Sequence, residues 1–214
     1  SRRVRVPSID SLLRHKPLRW KRILDVLLAS LGLLVAIPFL MLAATLIKAT
    51  SRGPIFFCQN RVGYGGKPFA MYKLRTMRQD ADEIKDDLRE HNEVDGWGFK
   101  IADDPRVTTV GRILRKTSLD ELPQLLNVIR GEMSLVGPRP LPCNDWHPTD
   151  LWMNARHDVK PGITCTWQIK GRSSVSFEEW MLMDIEYIES MNFASDLRLL
   201  AQTIPAVLSQ RGAS

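Results

Sequence analysis

The hydrophobic pattern divides the chain into one long apolar stretch and many short ones. Residues 26–47 (VLLASLGLLVAIPFLMLAATLI) form a run of 22 without a charge, interrupted at Pro38. As a helix this run rises about 33 Å, enough to cross a hydrocarbon core about 30 Å thick. Beyond it the apolar positions come in brief groups. Ile55-Phe56-Phe57 and Phe69-Ala70-Met71-Tyr72 flank Gly63, Gly65 and Gly66, which predicts a hairpin. Residues 79–93 (QDADEIKDDLREHNE) are almost all polar and predict an exposed helix or a mobile segment. Over 107–116, Val110, Ile113 and Leu114 share a helical face while Arg112, Arg115 and Lys116 point elsewhere. A short apolar helix over 122–129 ends at Gly131. Pro142, Pro148, Pro161 and Gly162 make 141–165 irregular. Helical spacing returns over 177–191 and near 195–209, where Leu197, Leu200, Ala201, Ile204 and Leu208 share a face. That last helix packs on the body or lies on a membrane surface. Periodicity alone thus supports a mixed domain carrying one membrane segment.

Charge sharpens this picture. The net charge of the 214 residues is +6, but residues 1–22 hold eight Lys/Arg against Asp10, so this flank carries +7 and the remainder −1. Basicity beside an apolar run favours anionic lipid headgroups over nucleic acid as the partner. The chain divides into a basic juxtamembrane segment (1–22), a membrane helix (23–50) and a body (51–214). Cys58, Cys143 and Cys165 are widely spaced and read as reduced thiols. His15, His91, His147 and His157 show no paired metal-ligand spacing. The first residue is Ser rather than Met, which predicts a processed chain or a piece of a longer one.

Four readings compete for the apolar run. A cleaved signal peptide would be shorter and followed by a small-residue cleavage site. A buried core helix of 22 uncharged residues is long for a domain of this size. A simple span must accommodate Pro38, which removes one backbone hydrogen bond. It must also accommodate basic flanks on both sides: Arg19, Lys21 and Arg22 before, Lys48, Arg52 and Arg61 after. Positive charge marks the cytoplasmic side. A re-entrant helix that breaks at Ile37-Pro38 and returns satisfies both features, provided the broken backbone finds partners.

The candidate chemistry lies in Thr117-Ser118-Leu119-Asp120-Glu121-Leu122-Pro123. Ser118-x-x-Glu121 is a capping box in sequence, and acids in a first helical turn have a purely structural use. Against that, Arg112, Arg115 and Lys116 lie just upstream, so cations and carboxylates converge. A helix N-terminus and those cations keep a carboxylate ionised, as a nucleophile requires. Adjacent helical positions diverge by about 100°, so Asp120 and Glu121 take different roles, one attacking and one binding a metal or helper group. Lys73 and Arg75 in Tyr72-Lys73-Leu74-Arg75, Arg139 between two prolines and Arg172 after Gly171 are further basic candidates. Asp184 sits near the apolar face of Met181, Ile185 and Ile188 and needs an Arg or a metal as partner.

These residues resemble a family. KRILDVLLASLGLLVAIPFLMLAATLIK (21–48), FAMYKLRTM (69–77), DPRVTTVGRILRKTSLDELPQLLNVIRGEMSLVGPRP (104–140), VKPGITCTWQIKGR (159–172) and MDIEYIE (183–189) are similar to the bacterial sugar transferases of the monotopic phosphoglycosyl transferase superfamily. The resemblance implies an α+β fold with a re-entrant helix broken at Pro38, a small sheet, and amphipathic helices at the interface. It implies attack by Asp120 on the sugar-bearing phosphorus of a UDP-sugar, release of UMP, and transfer of the phosphosugar to polyprenyl (undecaprenyl) phosphate. Glu121 would be its dyad partner, Mg2+ the cofactor held near Asp120 and Glu121, and Arg115 a phosphate-binding residue. Arg139 would line the nucleotide pocket, with Lys73, Arg75, Arg112, Arg172 and Asp184 as further pocket residues. Such an enzyme works at the cytoplasmic face of the bacterial inner membrane, among its lipids, and begins polysaccharide or glycoconjugate assembly. The stretch 103–106 and the insert at 79–100 look like larger members, with extra transmembrane helices ahead of the catalytic part. Assembly into homo-oligomers stays open, as does the sugar.

Two other readings fit the residues without the resemblance. One is a hydrolase that cleaves UDP-sugars or lipid diphosphates at the same dyad. The other is a membrane-attached adaptor whose dyad is only a cap.

Overall fold

A computed structural model describes residues 18–81, 83–84, 101, 103–143, 151–170 and 176–208. Most of the basic flank, most of the 79–100 insert, and Arg172 lie outside the described residues.

The apolar run forms α1 (Arg19–Thr50), one helix of 32 residues, about 48 Å long by its rise per residue. Among the described residues it is the one helix long and apolar enough to cross a membrane. Its buried positions are Lys21, Asp25, Ala29, Ala36, Ala43 and Ile47, a stripe along one face. Small side chains on that stripe let the body approach closely: Gly32 sits against Leu125. The opposite face shows Leu27, Leu34, Met41 and Leu42 at 60–67% exposure, a continuous apolar wall with no protein cover.

The assigned helix runs unbroken from residue 19 to 50 with Pro38 inside, so the chain break expected at Pro38 is not seen as an interruption of the helix. Pro38 cannot donate to the Leu34 carbonyl. Ala36 and Ala43, on either side of it, are buried. Both ends of α1 nevertheless meet the same body. Near the start, Ser134 Oγ and the Leu135 amide donate to Asp25 at 3.0 and 2.9 Å. At the far end, Ala43 and Ile47 join Leu74 and Leu114 in a small core.

The expected hairpin is present as β1 (Phe56–Val62) and β2 (Pro68–Leu74), antiparallel with Phe56 opposite Leu74. Then come α2 (Thr109–Lys116) and α3 (Gln124–Arg130). Gly131, at φ 84°, ends α3 in the left-handed conformation, the C-terminal role its sequence position predicts. A second small sheet pairs β3 (Ser134–Val136) in parallel with β4 (Gly162–Thr164), across the stretch expected to be irregular. The chain finishes with α4 (Thr166–Lys170), α5 (Phe177–Ser190) and α6 (Phe193–Leu208). The main core gathers Ala29, Met71, Val128, Met133, Val136 and Ile185. The fold is therefore α+β, with α1 as one wall of its core rather than a detached stem.

The basic flank is partly spent inside the protein. Arg22 donates through Nη1 and Nη2 to the carbonyls of Val128 and Ile129, at 2.6 and 2.7 Å, completing the C-terminal end of α3. Lys21 pairs with Asp196 of α6 and donates to Tyr187 at 3.1 Å. These two cations hold the helix to the body, while Arg19 beside them is exposed.

Candidate active site

The dyad sits on a short 3-10 turn, Leu119–Glu121, between α2 and α3. The capping box expected of Ser118 and Glu121 does not form. Ser118 makes no side-chain cap and holds φ 56°, the single positive-φ residue other than glycine among those described. Its N–H instead donates to the Arg115 carbonyl, closing α2 in a left-handed turn. A left-handed conformation in a non-glycine residue is strained, and here it reverses the chain directly into the dyad.

The turn sends the two carboxylates in different directions, about 120° apart for a helix of three residues per turn. Glu121 Oε1 accepts from Lys73 Nζ at 2.7 Å and from Arg139 Nη2 at 2.9 Å. Burial alone would push Glu121 up, but Lys73 and Arg139 together outweigh it and hold the carboxyl far below the usual range. Asp120 is 7% exposed and accepts no hydrogen bond among the described residues. Burial pushes it up to about 6, with the Glu121 charge adding to the rise while Lys73, Arg115 and Arg139 oppose it. The expectation that helix dipole and cations keep the nucleophile strongly ionised thus falls on the neighbour. Glu121 takes the cations, and Asp120 remains a buried, unengaged carboxylate that is still mostly ionised at neutral pH.

Each cation has a traceable origin. Lys73 lies near the end of β2, whose backbone is fixed by Asn127 of α3. Asn127 is fully buried; its Oδ1 accepts from the Tyr72 amide at 3.1 Å and its Nδ2 donates to the Ala70 carbonyl at 2.7 Å. Arg139 comes from the Pro138-Arg139-Pro140 turn after β3. Arg115, in the last turn of α2, donates through Nε to Thr76 Oγ1 at 3.0 Å. The docking of α2 there depends on Gly111, where a Cβ would fall 1.9 Å from the Thr76 carbonyl oxygen.

The structure brings Lys73, Arg115, Asp120, Glu121 and Arg139 together. Three other candidates lie elsewhere. Arg112 is a surface residue, 65% exposed and 3.9 Å from Asp103. Arg75 is buried away from the dyad and donates to the carbonyls of Arg52 and Ser51 at 2.6 and 3.1 Å, closing the C-terminal end of α1. Asp184 is buried on α5 and meets the dyad only through Arg156, whose Nη2 lies 2.7 Å from it. Asn127 and Arg156 were not singled out in the sequence. Asn127 gave one signal, a polar residue on the apolar face of Leu125 and Val128.

A metal fits in one manner only. Among the described residues no three His, Cys, Asp or Glu side chains gather to form a cage. Both cations take Oε1 of Glu121, so its other oxygen remains available beside Asp120. One or two carboxylates together with substrate phosphates are how Mg2+ is usually bound. Next to the dyad lies a cavity of about 210 Å3, lined by apolar residues such as Leu119, Leu122, Leu125 and Ile163 and by polar ones such as Ser118, Glu121, Gln168 and Thr203.

Comparison with known proteins fits this geometry. A family model described as bacterial sugar transferase matches residues 16–210. The chain is 44% identical over 195 residues to the galactosyl transferase CpsE of Streptococcus agalactiae, covering 90% of this chain and 43% of that protein. It is 41% identical over 196 residues to the exopolysaccharide production protein ExoY of Rhizobium meliloti, covering 90% and 87%. It is 42% identical over 199 residues to a UDP-glucose:undecaprenyl-phosphate glucose-1-phosphate transferase of Caulobacter vibrioides, covering 88% and 70%. The chain thus spans less than half the length of CpsE and most of ExoY.

Proposed function

This chain belongs to the bacterial sugar transferase family, and on that premise we propose that Asp120 and Glu121 move a sugar-1-phosphate from a UDP-sugar to polyprenyl phosphate. The observation that carries this reading is the unequal division of the dyad. One carboxylate is pinned by Lys73 and Arg139; the other is buried, close to cations, and has no hydrogen-bond partner among the described residues to give up before it attacks.

In the first step an Asp120 oxygen forms a bond to the sugar-bearing phosphorus, and the bond from that phosphorus to the UMP oxygen breaks. UMP leaves with the electron pair, and the phosphosugar stays on Asp120 as an acyl phosphate. In the second step an oxygen of polyprenyl phosphate attacks the same phosphorus, the bond to Asp120 breaks, and the carboxylate is restored. Lys73, Arg115 and Arg139 offset the negative charge that gathers on the diphosphate, the usual protein contribution to phosphoryl transfer. Glu121 keeps Lys73 and Arg139 oriented and offers its second oxygen to Mg2+. When bound, Mg2+ neutralises phosphate charge and steadies the departing UMP.

Support for the substrates comes from the relatives. The Caulobacter protein is named for UDP-glucose and undecaprenyl phosphate, and the Streptococcus protein for galactosyl transfer. The apolar cavity beside Glu121 suits an acceptor with an isoprenoid tail. The exposed apolar face of α1, on a helix tied at both ends to one body, suits an enzyme seated in the cytoplasmic face of the inner membrane. ExoY's name suggests the pathway, the start of exopolysaccharide assembly.

The test is UMP release from UDP-glucose and UDP-galactose, with and without undecaprenyl phosphate and Mg2+, by the wild type and Asp120→Asn. Release that needs Asp120 and Mg2+ and continues only with lipid establishes the reaction. Sustained release at full rate without lipid would mean hydrolysis instead. Equal release by both proteins would remove Asp120 from the chemistry.

A further inference from the structure

The Pro138-Arg139-Pro140 turn presents the guanidinium that meets Glu121, yet prolines give it few backbone donors of its own. Its rigidity comes from three carbonyl contacts. The Pro138 carbonyl accepts from the Gly162 amide at 2.9 Å, and the Pro140 carbonyl from Arg61 Nη1 at 3.0 Å. The middle one, the Arg139 carbonyl, accepts from Arg156 Nη2 at 2.6 Å. Arg139 precedes a proline, which already confines its backbone to extended conformations. Orienting its carbonyl fixes the remaining freedom and therefore the direction in which its side chain leaves.

Arg156 is itself immobilised. It lies on the 3-10 helix Leu151–Asp158, is 3% exposed, and packs its guanidinium 5.5 Å from the centre of the Trp180 ring. The same Nη2 donates to Asp184 Oδ2 at 2.7 Å, and Asp184 is 1% exposed. Its Nε and Nη1 are buried without an acceptor among the described residues. Burying unsatisfied donors opposes folding. An arginine kept for packing alone gains nothing from that arrangement. One that must reach both a carboxylate on α5 and a carbonyl in the turn accounts for it.

We infer that Arg156, anchored by Asp184, is a positioning residue: it sets the Arg139 backbone so that the Arg139 guanidinium stays on Glu121 and on the donor's phosphates. The connection runs from α5 through Asp184, Arg156 and the Arg139 carbonyl to the dyad. It makes Asp184 a support behind the pocket rather than part of its lining. The inference rests on the reading above that Arg139 contacts the nucleotide.

A double-mutant cycle tests it, with UDP as the probe, Kd measured by calorimetry, and UMP release followed in parallel. Arg156→Gln is expected to weaken UDP binding about tenfold in the wild-type background and less than twofold where Arg139→Ala has already removed the guanidinium. Arg156→Lys, which reaches Asp184 but lacks the planar fork, should recover only part of the loss. Equal weakening in both backgrounds would overturn the inference, because Arg156 would then act independently of Arg139. Removing one member of a buried pair can prevent folding. In that event the neutral pair Arg156→Gln/Asp184→Asn carries the same cycle. Coupled UDP binding in a wild type that releases no UMP would leave the positioning role standing and remove the transferase reading.

Discussion

Two lysine–carboxylate pairs, one buried and one half-buried, lie in different parts of this molecule and do different work. Lys21 of α1 meets Asp196 of α6, and the Tyr187 hydroxyl closes the group by donating to Asp196 Oδ1 at 2.7 Å and accepting from Lys21 at 3.1 Å. Asp25, the other acid near Lys21, accepts from Ser134 Oγ and the Leu135 amide, so each carboxylate there has its donors. Lys73 meets Glu121 in the second pair, and Arg139 joins them, but Asp120 stands immediately before Glu121 with no hydrogen bond of its own among the described residues. A saturated network holds segments together. One that leaves an acid unengaged among cations keeps a reagent ready, and the fold bears the expense of its burial. The contrast marks Asp120 without reference to any relative.

The sharpest way to break the comparison is Asp120→Asn. Removing a covalent nucleophile is expected to lower lipid-dependent turnover by at least ~10³-fold. The same change should raise the melting temperature, because a buried charge without hydrogen bonds disappears. A lower melting temperature would mean that Asp120 belongs with the structural acids. Glu121→Gln should lower turnover by roughly 10²–10³-fold, since it loosens two cations that face the developing charge; an unaffected rate would reduce Glu121 to a strut.

The pH dependence separates the same two acids. The donor half-reaction, read as the burst of UMP, needs ionised Asp120 and should fall about tenfold per pH unit below about 6. The linkage to stability has the opposite sense. The folded-state value of Asp120 lies above that of the unfolded chain, so its favourable contribution is complete at low pH and is lost as pH rises through about 6. Glu121, held low by Lys73 and Arg139, contributes stability at neutral pH that is lost only in acid. A burst that is flat between pH 5 and 8 would contradict the assignment of Asp120.

Asp196→Asn probes the other pair. It leaves buried Lys21 without its hydrogen-bonded carboxylate, with Asp25 the remaining nearby acid, and should destabilise the fold by ~3 kcal/mol. The rate per folded molecule should change little, as measured by chemical denaturation beside turnover. The smallest effect belongs to Arg112→Gln. This exposed residue, which the resemblance implies as a pocket residue, is expected to alter turnover less than twofold and stability by under ~1 kcal/mol.

What could be read in the sequence follows from how locally each feature is encoded. The hairpin, α2, α3 with its Gly131 stop, α5 and α6 all announce themselves through spacing and turn residues within a few positions. The dyad was visible because its two acids are adjacent. Less visible was which acid takes the cations, since Lys73 lies 48 residues and Arg139 18 residues from Glu121. The apparent capping box failed because Ser118 is already engaged in ending α2, while a working box at Ser176 and Glu179 starts α5. Arg75 and Arg112 look alike in sequence, yet one closes α1 and the other faces solvent. Pro38 suggests a break, yet the residues that α1 packs against on either side of it, such as Val128 and Leu114, are distant in the chain and leave no mark near the proline.

The clasp between Lys21 and Asp196 joins residues 175 positions apart. A ribosome adding about 5–20 residues per second delivers the second partner roughly ten to thirty-five seconds after the first. During that interval Lys21 waits for its carboxylate, and the inner stripe of α1 is covered step by step as Val128, Val136 and Ile185 are made. Within these residues the sealing of α1 is therefore a late event, complete only when α6 arrives.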